Sequence, residues 1–234
     1  MSEFAYVGTE LDLFAHVHNW KSYWFQQISP FLVGDILEVG AGIGANTQFL
    51  GAGPGGRFVC LEPDPQLVAR LICAVEKEGH RKFEVICGAL PALGNRLFDT
   101  ILYIDVLEHI EHDRAELDAA ASHLRPGGHL IVLSPAHQSL FSPFDAAIGH
   151  FRRYTASMLR EISPAPLLLT RLRYLDSVGL AASGANRLML RQSMPTAAQL
   201  ELWDRWMVPI SRVLDKVLFY SLGKTILAIW QSPR

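Results

Sequence analysis

Three closely spaced glycines, Gly40, Gly42 and Gly44, follow the apolar run Ile36-Leu37-Glu38-Val39. Glycine there permits a tight turn and removes Cβ atoms that would block a ligand. Ala41 and Ile43 fill the gaps between them, and Asn46 and Thr47 lie at the head of a helical stretch. A helix start offers unpaired N–H groups and a positive dipole end to an anionic group. Strand, glycine turn and helix in this order place a nucleotide-like ligand at the carboxyl edge of a sheet. Glu38 would oppose a pyrophosphate there but could organise polar or cationic groups. Glu62 closes the next apolar run, FVCLE, where a carboxylate can hold two ribose hydroxyls. Gly40-x-Gly42-x-x-Ala45 also satisfies the dinucleotide fingerprint, so the glycines alone leave the nucleotide open.

Alternating short apolar runs and helical stretches must position these groups. Strands are expected at residues 35–40, 57–61, 83–87, 98–104 and 129–133, with helices over 44–50, 65–78 and 111–124. Nearly continuous apolar strands are buried on both faces, and interleaved helices imply right-handed parallel crossovers. The fold class is therefore α/β, a doubly wound sheet. Residues 167–174 and 224–230 supply a sixth and a seventh strand, separated by a mostly helical insertion. Residues 10–28 carry apolar side chains at spacings of three and four, an amphipathic helix that Pro30 ends. The whole chain reads as one domain: a helical cap (1–30), a cofactor-binding core (31–135) and an acceptor-side segment with the insertion (136–234).

The chain has 234 residues, 50% of them apolar and 19% charged, with a net charge of -2. That length and composition suit a globular domain with its own core. No basic stripe marks a nucleic-acid partner. The odd count of three cysteines, without a Cys-x-x-Cys pair, argues against a disulfide framework or a cysteine zinc site. Cys60 and Cys87 lie in apolar runs and read as small buried hydrophobes. The N-terminus lacks a signal-peptide pattern, and no apolar run nears the roughly 18 residues that cross a bilayer. A cytoplasmic protein without stable membrane insertion is expected, with peripheral association open and the oligomeric state unspecified.

Four segments together resemble the ordered motifs of class I S-adenosylmethionine-dependent methyltransferases. They are Glu38-Val39-Gly40-Ala41-Gly42-Ile43-Gly44, Leu61-Glu62-Pro63-Asp64, Asp105-Val106-Leu107-Glu108-His109-Ile110 and Leu124-Arg125-Pro126-Gly127-Gly128. Asp145 and the later Gly149-His150-Phe151-Arg152-Arg153-Tyr154 resemble a bacterial subgroup acting on small molecules. The resemblance implies a seven-stranded Rossmann-like sheet, S-adenosyl-L-methionine as cofactor and S-adenosyl-L-homocysteine as product. It implies that Gly40, Ala41, Gly42 and Gly44 pass under the methionine part. Glu62 would bind the ribose, with Pro63 and Asp64 flanking the adenosine. Gly88, Ala89 and Leu90 would line the adenine, and Ile104, Asp105 and Val106 would face the methionine. Many relatives carry an acidic residue where Ala89 stands, so backbone or water must meet the adenine amino group here.

Methyl transfer from a sulfonium is an in-line displacement, so the protein mainly aligns the reactants and excludes water. His109, on the loop leaving the fourth strand, is the candidate base or acceptor-orienting group. His137, Asp145, His150, Arg153 and Tyr154 follow the fifth strand and are candidate substrate contacts. The plainer reading is a solvated loop held by an Asp–Arg pair. His137, Asp145 and His150 have no metal-ligand spacing, and His109 with His112 reads as a loop entering a helix, so no metal is expected. Asn19, Trp20 and Tyr23 are candidate cofactor contacts from the cap, against ordinary core packing. Trp203, Trp206 and Met207 could line an apolar or aromatic acceptor pocket. The apolar stripe of residues 200–222 is expected to pack on the core; a lid or membrane-surface helix is the alternative. A cofactor-binding regulatory module and a nicotinamide-dependent oxidoreductase remain the competing functions.

Overall fold

A computed structural model describes residue 6 and residues 11–51, 56–76, 83–189 and 196–234. Its centre is a seven-stranded sheet of order β3-β2-β1-β4-β5-β7-β6. The strands are β1 (Ile36–Val39), β2 (Phe58–Glu62), β3 (Phe83–Cys87), β4 (Phe98–Ile104), β5 (Leu124–Pro135), β6 (Leu168–Leu175) and β7 (Thr225–Gln231). The first five run parallel, and β7 enters antiparallel between β5 and β6. Strand order reverses at β1, whose Val39 pairs with Leu61 on one side and Tyr103 on the other. This register brings the residues after β1, β2 and β4 to one edge, where open α/β sheets bind ligands.

Alternate strand residues feed two apolar layers. Ile36, Phe58, Leu102 and Leu227 face the layer containing Trp20, Tyr23 and Trp24. Leu37, Val59, Tyr103 and Trp230 face the other. The helices are α1 (Leu11–Ala15), α2 (Asn19–Ile28), α3 (Thr47–Leu50), α4 (Pro65–Glu76), α5 (Asp113–Ser122), α6 (Pro143–Ala147) and α7 (Ala156–Glu161). The insertion supplies α8 (Ser177–Met189), α9 (Ala197–Leu202), a π turn (Trp203–Met207) and α10 (Val208–Val217).

Several expected elements change shape. The single N-terminal helix breaks into α1 and α2, because the Asp204 carboxylate takes the amides of His18, Asn19 and Trp20. Residues 44–46 form the turn rather than helix, since Gly44 lies at φ 81°. The fifth strand starts at Leu124 and runs through Pro126-Gly127-Gly128, so the helix before it ends at Ser122. Cys87 closes an edge strand and is exposed, whereas Cys60 is buried. Residue 10 and residues 77–78 of the expected helices lie outside the described residues.

Candidate active site

The turn after β1 is anchored before any ligand arrives. Gly40 and Ala41 both donate to the Leu61 carbonyl, at 2.7 and 3.2 Å. All three glycines have left-handed backbone, with φ of 66, 57 and 81°. A Cβ on Gly40 would stand 2.7 Å from a Val106 methyl carbon. One on Gly42 would meet nothing nearer than Leu11 of α1, at 3.9 Å. Gly42 therefore faces open space beside the turn.

Glu62 is buried and aimed at that turn. Its Oε2 accepts from the Gly42 amide (2.8 Å) and its Oε1 from the Asp64 amide (2.9 Å). Burial raises its pKa, against the pull of those two amides. Asp64 in turn accepts from Tyr6 (2.6 Å) and from Gln66 in the first turn of α4 (2.7 Å). Gly88 donates to the Glu62 carbonyl at 2.9 Å, which brings Ala89 and buried Leu90 beside the end of β2. Glu38 is buried under the turn and accepts from Thr47 Oγ1 at 2.6 Å. Burial lifts its pKa to about 7, with the Thr47 bond and Lys21 opposing. Lys21 donates to the Ala15 and Ala45 carbonyls, tying α2 to α1 and to the turn. Asp105 follows β4 with φ 55° and is open to the crevice. The surrounding protein raises its pKa to about 6, while His150 and Lys224 draw it down.

Beyond Asp105 lies a polar pocket wall. Glu108 is fully buried; one oxygen accepts from Ser134 Oγ at 2.8 Å and Oε1 has no hydrogen-bond partner. That free oxygen stands 3.9 Å from His150 Nε2. The His109 and His150 rings meet edge-on at 4.5 Å, and Tyr6 stands 5.6 Å from His109. Ligand-type atoms of Glu108, His109 and His150 lie within 4.8 Å of one another. Burial, then His150, push His109 down to about 4, so it is neutral at physiological pH. Asp145 orients His150 by accepting from Nδ1 at 3.0 Å, and also takes Arg153 and Ser142. The Asp145–Arg153 pair is thus a buried clamp, not a solvated loop contact.

Residues 37–130 match the family model described as a methyltransferase domain. Over that stretch the chain is similar to methyltransferase domains. It is 29% identical over 144 residues to demethylmenaquinone methyltransferase from Tropheryma whipplei (strain Twist), covering 60% of this chain and 59% of that protein. It is 32% identical over 99 residues to thiol S-methyltransferase TMT1B of Homo sapiens, covering 41% of this chain and 40% of that protein. The match thus spans less than two thirds of either relative. Among solved structures, Haemonchus contortus phosphoethanolamine N-methyltransferase 2 in complex with S-adenosyl-L-methionine superposes with a TM-score of 0.65 at 12% identity. That superposition covers 97% of this chain and 58% of the other, and at such identity it speaks for the fold.

Several predicted site residues turn out to hold structure instead. The Tyr23 hydroxyl donates to Asp215 at 2.7 Å inside the core. Thr47 is spent on Glu38, and Asn46 makes no side-chain cap for α3. Tyr154 is fully buried, its hydroxyl shared between the Leu107 carbonyl and Asp113. His137 stacks on Tyr174 and directs Nε2 to the Gly223 carbonyl at 3.0 Å. Trp203 is buried against Trp20, with its indole N–H on Asp176. Trp206 points outward at 60% exposure, so among the described residues the two tryptophans do not face a common cavity. Sequence reasoning missed Lys21 and Glu108. Each is a lone charge in an apolar or motif setting, and only its burial marks it out.

Proposed function

We propose that the chain is an S-adenosylmethionine-dependent methyltransferase for a small-molecule acceptor. The observation that carries this is the pairing of Gly42 with Glu62. The turn leaves room where a Cβ would stand, and the carboxylate is already fixed beside it. Carboxylates at Glu62 and Asp105 suit a hydroxyl-bearing, cationic ligand better than a pyrophosphate. S-adenosyl-L-methionine supplies a methyl group already activated on a sulfonium. Gly40, Ala41, Gly42 and Gly44 would support its methionine part, with Ile104, Asp105 and Val106 opposite. A carboxylate has about four lone-pair sites. Glu62 can therefore accept ribose hydroxyls while keeping its two amides. Pro63 and Asp64 would flank the adenosine, and Gly88, Ala89 and Leu90 the adenine.

On the acceptor side His109 touches the reacting group. Its neutral imidazole accepts a proton where the acceptor must lose one. His150, held by Asp145, which Arg153 clamps in turn, positions His109 and the acceptor. His137 stands further out. The names of the two relatives, one for demethylmenaquinone and one for thiols, support a small-molecule acceptor. Calorimetry with S-adenosylhomocysteine tests the cofactor assignment. Binding of that ligand without NAD binding is expected; the reverse pattern removes the reading. Labelled methyl transfer to a panel of quinones, thiols and amines then tests catalysis. Cofactor binding with no turnover on any class would leave a regulatory module.

A further inference from the structure

α10 is turned inside out by the usual standard. Helices of globular proteins direct their apolar stripe to the core. Here the inward face carries Val208, Ser211 and Asp215. Asp215 accepts from Tyr23 Oη and from the amides of Asp176 and Ser177, and Ser211 donates to Asp176. These buried polar contacts fix the rotation of the helix. The outward face is therefore a shallow apolar groove of Pro209, Ile210, Val213, Leu214 and Val217. Val213 and Val217 are each 66% exposed. The row extends back to Trp206 and forward to Phe219, which is 89% exposed on a left-handed turn. Contiguous exposed apolar surface of this kind marks an interaction site.

Cations border it. Arg212 and Lys216 lie along one side of the row, and Arg212 bonds Gln26 of α2. The adjacent Gln27 takes Arg171 and Arg173 of the edge strand β6. Among the described residues none of these four cations has an ion-pair partner; their partners are neutral amides, carbonyls and rings. Arg205 lies 4.0 Å from Glu201 and 5.6 Å over the Trp206 ring. An apolar row beside unpaired cations fits a surface that is anionic above and apolar below. A second copy placed by a two-fold axis running across α10 would instead bring this cationic border against itself. Among the described residues no helix is long and apolar enough to cross a membrane.

We infer that α10 and the turn after it dock the protein on an anionic phospholipid bilayer. Val213, Val217, Trp206 and Phe219 sink into the headgroup boundary, and Arg212, Lys216, Arg171 and Arg173 meet the phosphates. The inference does not rest on methyl transfer, because docking is measured without turnover. The full chain is sedimented with phosphatidylglycerol–phosphatidylcholine vesicles and with phosphatidylcholine vesicles alone, while tryptophan emission is compared with that of Trp206→Phe. Binding to the anionic vesicles with a blue shift is expected, about tenfold weaker without phosphatidylglycerol or at high salt. Val213→Glu with Val217→Glu should lower binding about tenfold or more. Arg212→Gln with Lys216→Gln, which leaves the apolar row intact, should remove the preference for anionic lipid. Protein left in the supernatant with anionic vesicles overturns the inference, as does undiminished binding by both double variants. A dimer in sedimentation velocity that the glutamates dissociate, with no vesicle binding, assigns the row to a second copy and also overturns it.

Discussion

The carboxylate of Glu62 accepts the amide hydrogen of Gly42 at 2.8 Å, joining the end of β2 to the turn after β1. Its other oxygen holds the Asp64 amide, so both oxygens already serve as acceptors. Glu62→Gln keeps the shape but offers one acceptor and one donor. One backbone amide then loses its partner in a buried site, at a cost of about 1–3 kcal/mol. Affinity for S-adenosylhomocysteine in calorimetry should fall about tenfold or more. Unchanged affinity would remove Glu62 from the cofactor site.

Gly42 and Gly40 separate binding from folding. Alanine at Gly42 adds only the left-handed strain, about 1–2 kcal/mol, because its Cβ meets open space. It should fold, melt a few degrees lower and lose most cofactor affinity, since the methyl occupies the cradle. Alanine at Gly40 adds the same strain and a clash with Val106 at 2.7 Å. That variant should show the larger loss in melting temperature of the two. Thermal melts paired with S-adenosylhomocysteine titrations check both expectations.

Glu38 gives stability a pH dependence near neutrality. Its folded-state pKa is lifted to about 7 by burial, above the unfolded value of about 4.3. A raised folded pKa stabilises the fold at low pH, where both states are protonated. That contribution is lost as pH rises through the interval toward 7. Glu38→Gln stays neutral throughout and can still accept from Thr47. Wild type should therefore lose stability between pH 5 and 8 relative to the glutamine variant, by at most a few kcal/mol, read from thermal melts. Parallel pH curves for the two proteins would exclude this role.

The sheet and the crevice are the parts that local sequence encodes. β1, β2 and β4 are short apolar runs whose ends are marked by Gly40, Glu62 and Asp105, and each falls where its pattern puts it. What the pattern could not carry is long-range. β7 slots antiparallel between β5 and β6 only because the insertion returns the chain to that gap. The stripe of residues 202–217 has helical spacing, but spacing is blind to which face is inward. Asp176 and Asp215 decide that, and each stands in the sequence as an ordinary surface-type charge. On the acceptor side Asp145 and Arg153 were legible as a pair. Their burial, and the approach of His150 to His109 across forty residues, depend on how the segment after β5 folds back.

Asp204 offers the cleanest test of such a long-range contact. Its two oxygens accept the amides of His18, Asn19 and Trp20, at 3.0, 3.1 and 2.8 Å, from across the fold. These are orphan donors at the start of α2, which has no side-chain cap of its own. The aspartate therefore acts as an N-cap supplied by the π turn, and its negative charge suits that end of the helix dipole. Asp204→Ala removes the acceptor and should cost about 2 kcal/mol, the upper range for loss of a cap. At this chain length that corresponds to about 4–8 °C in melting temperature. The loss should be local at first. Amide exchange should quicken at residues 18–20 while β1 and β4 stay protected, and Asp204→Asn should recover part of the difference. Uniform loss of protection across the sheet would instead show that the cap and the core unfold as one unit.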